Sequence, residues 1–464
     1  MAAATSRYEA WLPETRIESL SRSLADPVPF AKSRHADYER FLRLPIEPNP
    51  LYRGYGYFTN VDLTGIDPLA TGAPVPLPPM LPRSVRVVHD ASGTRIELSP
   101  EARALGVRAT ALAEIWRSGD AEVGAFLRGI EEPADSLSAL ATTVLNRGYR
   151  LEIPDRYPEP LRIQEIVVLS VPHEALSVRR QIRAGEGTQL LATEEVFSTP
   201  QVPDGQRLYA ALSDLDLADD AKAVYLTVHA PDQRTVSIYR RRANVGPRAR
   251  LAWVWNGWGG FRTKVRNQTT FTGAGAKVDD LQTFFGEKVQ SYDSAVDFTH
   301  VATDTHSQSI TRGVFRDEAR GMSRGLVRIE PEARKTVALV SEHAMLLSRG
   351  ARSDSIPILE ILCRDVKATH SSSVAPVDPE KVFYLESRGI PELESVRMIG
   401  EGFLAYVLDR VPIEGIRDLL YPHLAARWDG KALSWGPGPF PTLPALNVTG
   451  TDQAPEWRFD AKLR

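Results

Sequence analysis

The chain has 464 residues, 25% of them charged, and a formal net charge of -3, a balance that offers no basic surplus for nucleic acid. No run approaches the ~18 apolar residues of a membrane span, and the first residues carry no basic segment followed by an apolar core, so the expectation is a cytoplasmic protein. The single cysteine, Cys363, excludes an internal disulfide and any site built from several thiolates of this chain.

Residues 13–44 place Ile17, Leu20 and Leu24 at helical spacing, break at Pro27 and Pro29, and resume with Tyr38, Phe41 and Leu42, which predicts two short helices. The prolines and glycines of residues 48–82 forbid long regular elements and predict a linker or wrapped arm. SVRVVHD and TRIELS predict a hairpin about Ala91, Ser92 and Gly93, followed by one helix over residues 100–127. From residue 135 a short helix gives way to strands, and residues 149–374 show almost no 3.6-residue period. Runs such as Leu326, Val327, Ile329 and Ile358, Leu359, Ile361, separated by Gly, Pro and small polar residues, predict many brief strands.

Those strands repeat. Asp220-Ala221-Lys222, Arg248-Ala249-Arg250, Gly275-Ala276-Lys277 and Glu332-Ala333-Arg334 each set Ala and a base ahead of a strand, and Asp304-Thr305-His306 fills the gap with a degenerate copy. The intervals are 28, 27, 29 and 28 residues, a period that means stacked units, each too small to hold a core alone. The prediction is a parallel β-solenoid of two or three strands per turn, with Ala249, Ala276 and Ala333 at equivalent corners. A propeller blade would need ~40 residues or more. The earlier turn at Gly187-Thr188 lies 34 residues before Ala221, which predicts an inserted loop or helix near residues 210–218.

The chain then turns helical. Asp378-Pro379-Glu380 is a capped helix start, and Arg388-Gly389 closes that helix. A second helix from Pro391 sets Leu393, Val396, Gly400, Phe403 and Val407 on one stripe, and a third from Pro412 does the same with Ile413, Ile416, Leu420 and Leu424. The Pro-rich tail after Trp435 reads as extended. The division that results is residues 1–134, helical and irregular; 135–377, β core; 378–430, helical; and 431–464, tail.

Several segments tempt a chemical reading. His300 and His306, with Asp297 and Asp304, make a conceivable metal site, yet repeat corners explain them more simply. Trp253, Trp255 and Trp258 resemble a stacking platform, but alternation along a strand favours the core. The glycines before Lys277 lack the spacing and the following helix of a phosphate loop, so any ATP chemistry belongs to a partner. Cys363 alternates with Leu359 and Ile361 and reads as an inward-facing apolar residue with a lesser claim as a metal ligand. His370 follows Val366 and Ala368 on one side of a strand and reads, on spacing, as a core or interface histidine.

Two long segments, residues 322–374 and DPEKVFYLESRGIPELESVRMIGEGFL, resemble the SufB/SufD family, the scaffold subunits of Suf iron-sulfur cluster assembly, and the likeness extends over residues 136–408. The family resemblance implies a mainly β fold, a right-handed parallel β-helix flanked by N-terminal and C-terminal helical domains, and no enzymatic activity of its own. It implies a dimer with a SufB-like scaffold subunit or a second copy, and a SufC-like ABC ATPase docked on the C-terminal helices, where Arg388, Gly389, Glu401, Gly402 and Phe403 lie. ATP enters only through that partner. Asp365-Val366-Lys367-Ala368-Thr369-His370 matches the SufD type, in which such a histidine faces the partner, and the SufB-type cysteine position falls near Glu342. The resemblance thus makes His370, and less so Cys363, a ligand to a transient iron-sulfur cluster shared between subunits. Competing classes are a β-helical carbohydrate-active enzyme, which needs clustered carboxylates on an outer face, and a purely structural solenoid that docks the ATPase.

Overall fold

A computed structural model describes residues 8–47, 61–77, 79–128, 133, 135–200, 205–413, 415–431 and 433. A hairpin of β1 (Ser84–Asp90) and β2 (Gly93–Leu98) and a short β3 (Arg108–Ala111) lead into sixteen strands that alternate between two sheets. The first sheet takes β5 (Leu161–Leu169), β7 (Gln189–Ser198), β9 (Lys222–Ala230), β11 (Arg250–Gly257), β13 (Lys277–Gly286), β15 (His306–Phe315), β17 (Thr336–Leu346) and β19 (Val366–Pro376). The second takes β4 (Arg147–Ile153), β6 (Ala175–Ala184), β8 (Arg207–Leu217), β10 (Thr235–Val245), β12 (Arg262–Phe271), β14 (Ser291–His300), β16 (Arg320–Ile329) and β18 (Arg352–Ile361). Each strand pairs in parallel with the strand two places on, so a coil is two strands and the solenoid has about eight turns.

The corners explain the period. Gly187, Asp220, Arg248, Gly275, Asp304 and Lys335 all have positive φ, between 57° and 76°, the left-handed conformation that reverses the chain within one residue. The next residue in each case, Thr188, Ala221, Ala249, Ala276, Thr305 and Thr336, is fully buried, so only a small side chain fits. Lys222, Arg250, Lys277, His306 and Val337 then pair in register. Ala221, Ala249, Ala276 and Ala333 donate the same turn bond to the carbonyl three residues back. After Ala333, however, the corner runs three residues longer and the ladder resumes at Thr336, so Ala333 begins an equivalent corner without occupying the equivalent ladder position. Residues 210–218 hold no inserted loop or helix. They belong to the regular strand β8, and the added length lies in the β7–β8 connection.

Helices cover both sheets. The two predicted N-terminal helices are α1 (Glu14–Leu24) and α2 (Val28–Arg43), with Pro29 inside the first turn of α2 instead of breaking it. The single helix expected over residues 100–127 is three short ones, α3 (Pro100–Ala104), α4 (Leu112–Ile115) and α5 (Asp120–Leu127), because Gly106 and Gly119 take left-handed conformations and β3 pairs with β4 between them. With α6 (Ser136–Thr143), α2 packs over the second sheet, where Phe41, Leu137, Leu140 and Val144 meet Leu208, Leu212 and Ile238. At the other terminus α7 (Pro379–Glu386) packs on α8 (Glu392–Leu408), and α8 and α9 (Ile416–Trp428) lie against the first sheet, where Leu404, Val407, Leu420 and Leu424 meet Leu226, Val254, Leu281 and Ile310. The stripe of α8 is rotated from the expected one. Leu393 is 87% exposed and Phe403 only half-buried, while Ser395, Gly400, Leu404 and Val407 face inward. Gly400 is needed there, since a Cβ would stand 2.6 Å from the Trp428 ring. The third helix starts at Ile416, after Pro412. The tail after residue 433 and residues 48–60 of the arm lie outside the described residues.

Candidate functional site

Alternation along each strand sends every second side chain into the space between the sheets. The ladders of the first sheet stack Glu165, Glu194, Thr227, Trp255, Gln282, Thr311, Glu342 and Ser372 in one interior column. The second sheet answers with Arg180, Ser213, Arg241, Asn267, Val296, Gly325 and Pro357. A polar seam therefore runs along the axis of an otherwise apolar core.

In the N-terminal half the seam is charged and paired. Arg180 donates to Glu165 at 2.9 Å through Nε and to the Tyr209 hydroxyl at 2.8 Å, and Tyr149 donates to the other oxygen of Glu165. Burial favours the neutral acid of Glu165, but Arg180 together with His89, whose Nε2 lies 3.1 Å away, overrides it and holds the carboxyl at about 2. Glu194 accepts from Tyr209, Thr227 and Arg241 at 2.7 to 3.0 Å. The Arg241 guanidinium is enclosed by the rings of Tyr225, Tyr239, Trp253 and Trp255, 4.9 to 5.6 Å from their centroids. A carboxylate and a cage of aromatic faces are what a desolvated cation requires.

Toward the C-terminal end the seam loses its cations. Asp280 accepts from Asn267 and Gln282 at 2.8 and 2.6 Å, and burial pushes its carboxyl up to about 6. Glu342, 3% exposed, accepts from the Ser355 hydroxyl and is pushed up to about 7 by burial. Beyond it the solenoid ends: β18 and β19 each pair on one side only.

His370 stands on this last strand, in register with Val340 and on the interior side, yet exposed because no coil covers it. It is not a core histidine. Cys363 lies in the corner between β18 and β19, half-buried, packed against the core beside Leu359, Val366 and Ala368. The four residues from Val366 to His370 span ~13 Å of strand, so the structure does not bring Cys363 and His370 to one point. Among the described residues no group of three or more His, Cys, Asp or Glu side chains is placed to hold a metal ion.

The other candidates resolve into structure. His300 is buried against Phe271, with its two ring nitrogens 2.8 and 2.9 Å from the Thr305 and Ser307 hydroxyls, and burial lowers it to about 3. Trp253, Trp255 and Trp258 are all core residues. The glycines before Lys277 serve the corner, since a Cβ on Gly273 would stand 1.9 Å from the Pro247 nitrogen. A polar groove of about 740 Å³ on the outer face of the second sheet is where a β-helical carbohydrate enzyme would work, but Asp214, Asp216 and Asp297 are bonded to Arg242, Asn244 and Gln268.

On the C-terminal helices, Arg388 lies over the Tyr384 ring and Gly389, at φ 86°, ends α7. Glu401 pairs with Arg397, Gly402 is open to solvent, and Phe403 sits under Arg312 of β15. Sequence reasoning missed the exposed apolar group beside them, Phe383 (71%), Tyr384, Leu393 and Met398. Leu393 was expected on the buried stripe of α8 and the rotation of that helix exposes it, while Phe383 and Tyr384 lie on α7.

These features define a two-sheet parallel β-helical protein with one finished end, one open end, and a helical appendage bearing an apolar surface. The model described as "SUF system FeS cluster assembly, SufBD core domain" matches residues 168–403, a little over half of the chain, and the chain belongs to the SufB/SufD family of the Suf system. It is 27% identical over 421 residues to the iron-sulfur cluster assembly protein SufD of Bacillus subtilis (strain 168), covering 89% of this chain and 92% of that one. It is 25% identical over 280 residues to an iron-sulfur cluster assembly SufBD family protein of Staphylococcus saprophyticus, with 60% of each chain covered. A relative of the same description in Mycobacterium leprae matches at 27% over 216 residues, a quarter of its own length.

Proposed function

We propose that this chain is a non-enzymatic, SufD-like scaffold subunit of a cytoplasmic Suf-type assembly complex. It pairs with a second scaffold through the open end of the solenoid, docks an ABC-type ATPase on α7 and α8, and helps build or transfer an iron-sulfur cluster that is cargo and not a resident cofactor. The observation that carries the reading is the open end. Two strands of ten and eleven residues keep unpaired edges, a feature proteins ordinarily cover or blunt, and His370 stands exposed beside them. One imidazole and one half-buried thiol do not hold a cluster that needs four ligands, so the thiolates come from the partner and His370 completes the set. A solenoid that only docks the ATPase would have no use for His370.

The test is co-purification followed by cluster reconstitution, with iron and sulfide analysis, on the complex carrying His370→Ala, Cys363→Ser or neither. The expected result is impaired assembly in His370→Ala with ATPase docking intact, and near-parental yield in Cys363→Ser. Parental yield in His370→Ala would refute the assignment. Deletion of residues 378–428 should abolish ATPase binding and leave the β core folded.

A further inference from the structure

The outer face of the first sheet changes character at its last two strands. One column there reads Leu226, Val254, Leu281 and Ile310 beneath the C-terminal helices and then Ser341 and Ser371. The column beside it reads Val228, Asn256, Thr283, Arg312, His343 and Ser373. Arg312 is 7% exposed, and what covers it is aromatic: its guanidinium lies 4.9 Å from the Phe403 centroid and 4.6 Å from that of Tyr406, both on α8. Arg410 stacks on the same Tyr406 ring at 3.6 Å. Among the described residues no carboxylate pairs with either arginine, since Glu401 serves Arg397 and Asp409 serves Arg417. Arg241, enclosed by rings in the core, has Glu194 as its counter-charge, whereas Arg312 has only the Tyr406 hydroxyl and keeps a buried Nε without a partner. A desolvated cation in that position is costly until an anion joins it. Beside it stands a shelf of hydroxyls. Half-buried His343 has Ser373 Oγ 2.5 Å from Nδ1 and Ser341 Oγ 3.0 Å from Nε2, and Ser371 Oγ lies 3.4 Å from Ser341 Oγ. Ser371 and Ser373 are exposed, because α8 packs on β13 and β15 and no coil follows β19.

We infer that this shelf binds a small free tetrahedral oxyanion, phosphate in the first place, with Ser371 and Ser373 donating to it and Arg312, backed by Arg410, as its counter-charge. The shelf is open to solvent, so the anion needs no cavity. With its proton on Nδ1, His343 donates to Ser373 Oγ and accepts from Ser341, which leaves the Ser373 proton free to turn outward. Fixed hydroxyls in front of a buried guanidinium are a donor set for an anion. A metal cation is the poorer fit beside two arginines, and burial together with the Arg312 charge already lowers the His343 imidazole to about 4. Phe403 and Tyr406 carry guanidinium groups, so the shelf has no free ring on which to stack a base, which points to a free anion and not a nucleotide. A bound anion would tie α8 to the last two strands through Arg312. The inference does not rest on the pairing or the docking proposed above, and its test uses this chain alone.

The test is equilibrium dialysis of radiolabelled inorganic phosphate against the purified full chain at neutral pH and constant ionic strength. The parent should bind phosphate saturably, and Arg312→Gln, which keeps a donor for the Tyr406 hydroxyl, should weaken binding by ~30-fold or more. Should that variant fail to fold by circular dichroism, Ser373→Ala on the exposed last strand carries the test, with a loss of ~5-fold. Arg328→Gln, an exposed arginine of the second sheet, should bind like the parent. In protein with carbon-13-labelled histidine, the resonance missing from His343→Asn should move as phosphate is added, and the proton affinity of that imidazole should rise ~10-fold or more. No saturable binding, parental affinity in a folded Arg312→Gln or Ser373→Ala variant, or displacement of phosphate by equimolar acetate, the mark of a seat for a carboxylate, would overturn the inference.

Discussion

At the amino-terminal end of the solenoid β1 pairs with β5, β2 covers β1 antiparallel and β3 covers β4, so the edges there are short antiparallel strands of six and four residues; at the carboxyl end the edges are the full parallel strands β18 and β19, of ten and eleven residues. The interiors differ in the same sense. Four charged groups near the closed end neutralise one another, whereas the open end keeps a carboxyl with only a serine for company. Stability is concentrated where the chain completes itself, and polar groups left incomplete lie where the chain is exposed. The two ends should therefore respond to mutation in opposite ways.

The largest effect belongs at the closed end. Arg180→Ala leaves Glu165 buried without its cation and should cost ~3–5 kcal/mol in urea unfolding. A loss below about 1 kcal/mol would break the contrast between the ends. Next is Gly273→Ala at a corner, where the methyl group meets Pro247 and should cost about 1–3 kcal/mol. It should do so without loss of the neighbouring coils' strand signal in hydrogen exchange.

At the open end Glu342→Gln acts through pH. Its carboxyl titrates at about 7 when folded and 4.5 when not. Between these values the folded chain holds a proton the unfolded chain has lost, so this residue makes stability fall as pH rises from 4.5 to 7, with no further change above. The variant removes that share, of order 3 kcal/mol at most. Comparing both proteins at pH 5 and pH 8 should show the variant gaining relative stability at pH 8, and equal slopes would contradict it. Smallest is His370→Ala, which should change stability by less than about 0.5 kcal/mol while the cluster yield of the complex falls. An unfolding cost above ~2 kcal/mol would mean that His370 is structural after all.

The coil period was legible because its cause is local: one left-handed residue and one small buried residue at each corner, repeated every 27 to 29 positions from Asp220 to Asp304. Asp304-Thr305 kept that pattern while losing the alanine, since Thr305 fits the same space. Ala333 misled because its turn starts in the same way and then lengthens. His370 could be placed on the last strand from sequence, but its exposure follows from the absence of a further coil, which alternation does not report. Glu342 and the interior column were invisible for a different reason. The pairing of Glu165 with Arg180 joins strands from opposite sheets, and only the three-dimensional register shows that the second sheet provides arginine twice and glycine the third time. The exposure of Leu393 escaped because α8 carries apolar residues on several sides, so the stripe through Leu393 competed with the one through Gly400, Leu404 and Val407 that the structure buries.

The corner ladder has a mechanical consequence. Adjacent coils are spaced by the distance between neighbouring strands, ~4.8 Å, and successive corners are interchangeable at positions such as Ala221, Ala249 and Ala276. Removing a whole coil, for example residues 221–248, would rejoin one corner to the next and move the open end by one step relative to the helices at the other terminus. Removing half of one would put the following strands on the wrong sheets. The solenoid is thus a ruler graduated in coils, and the distance over which it holds its two working surfaces changes only in whole divisions.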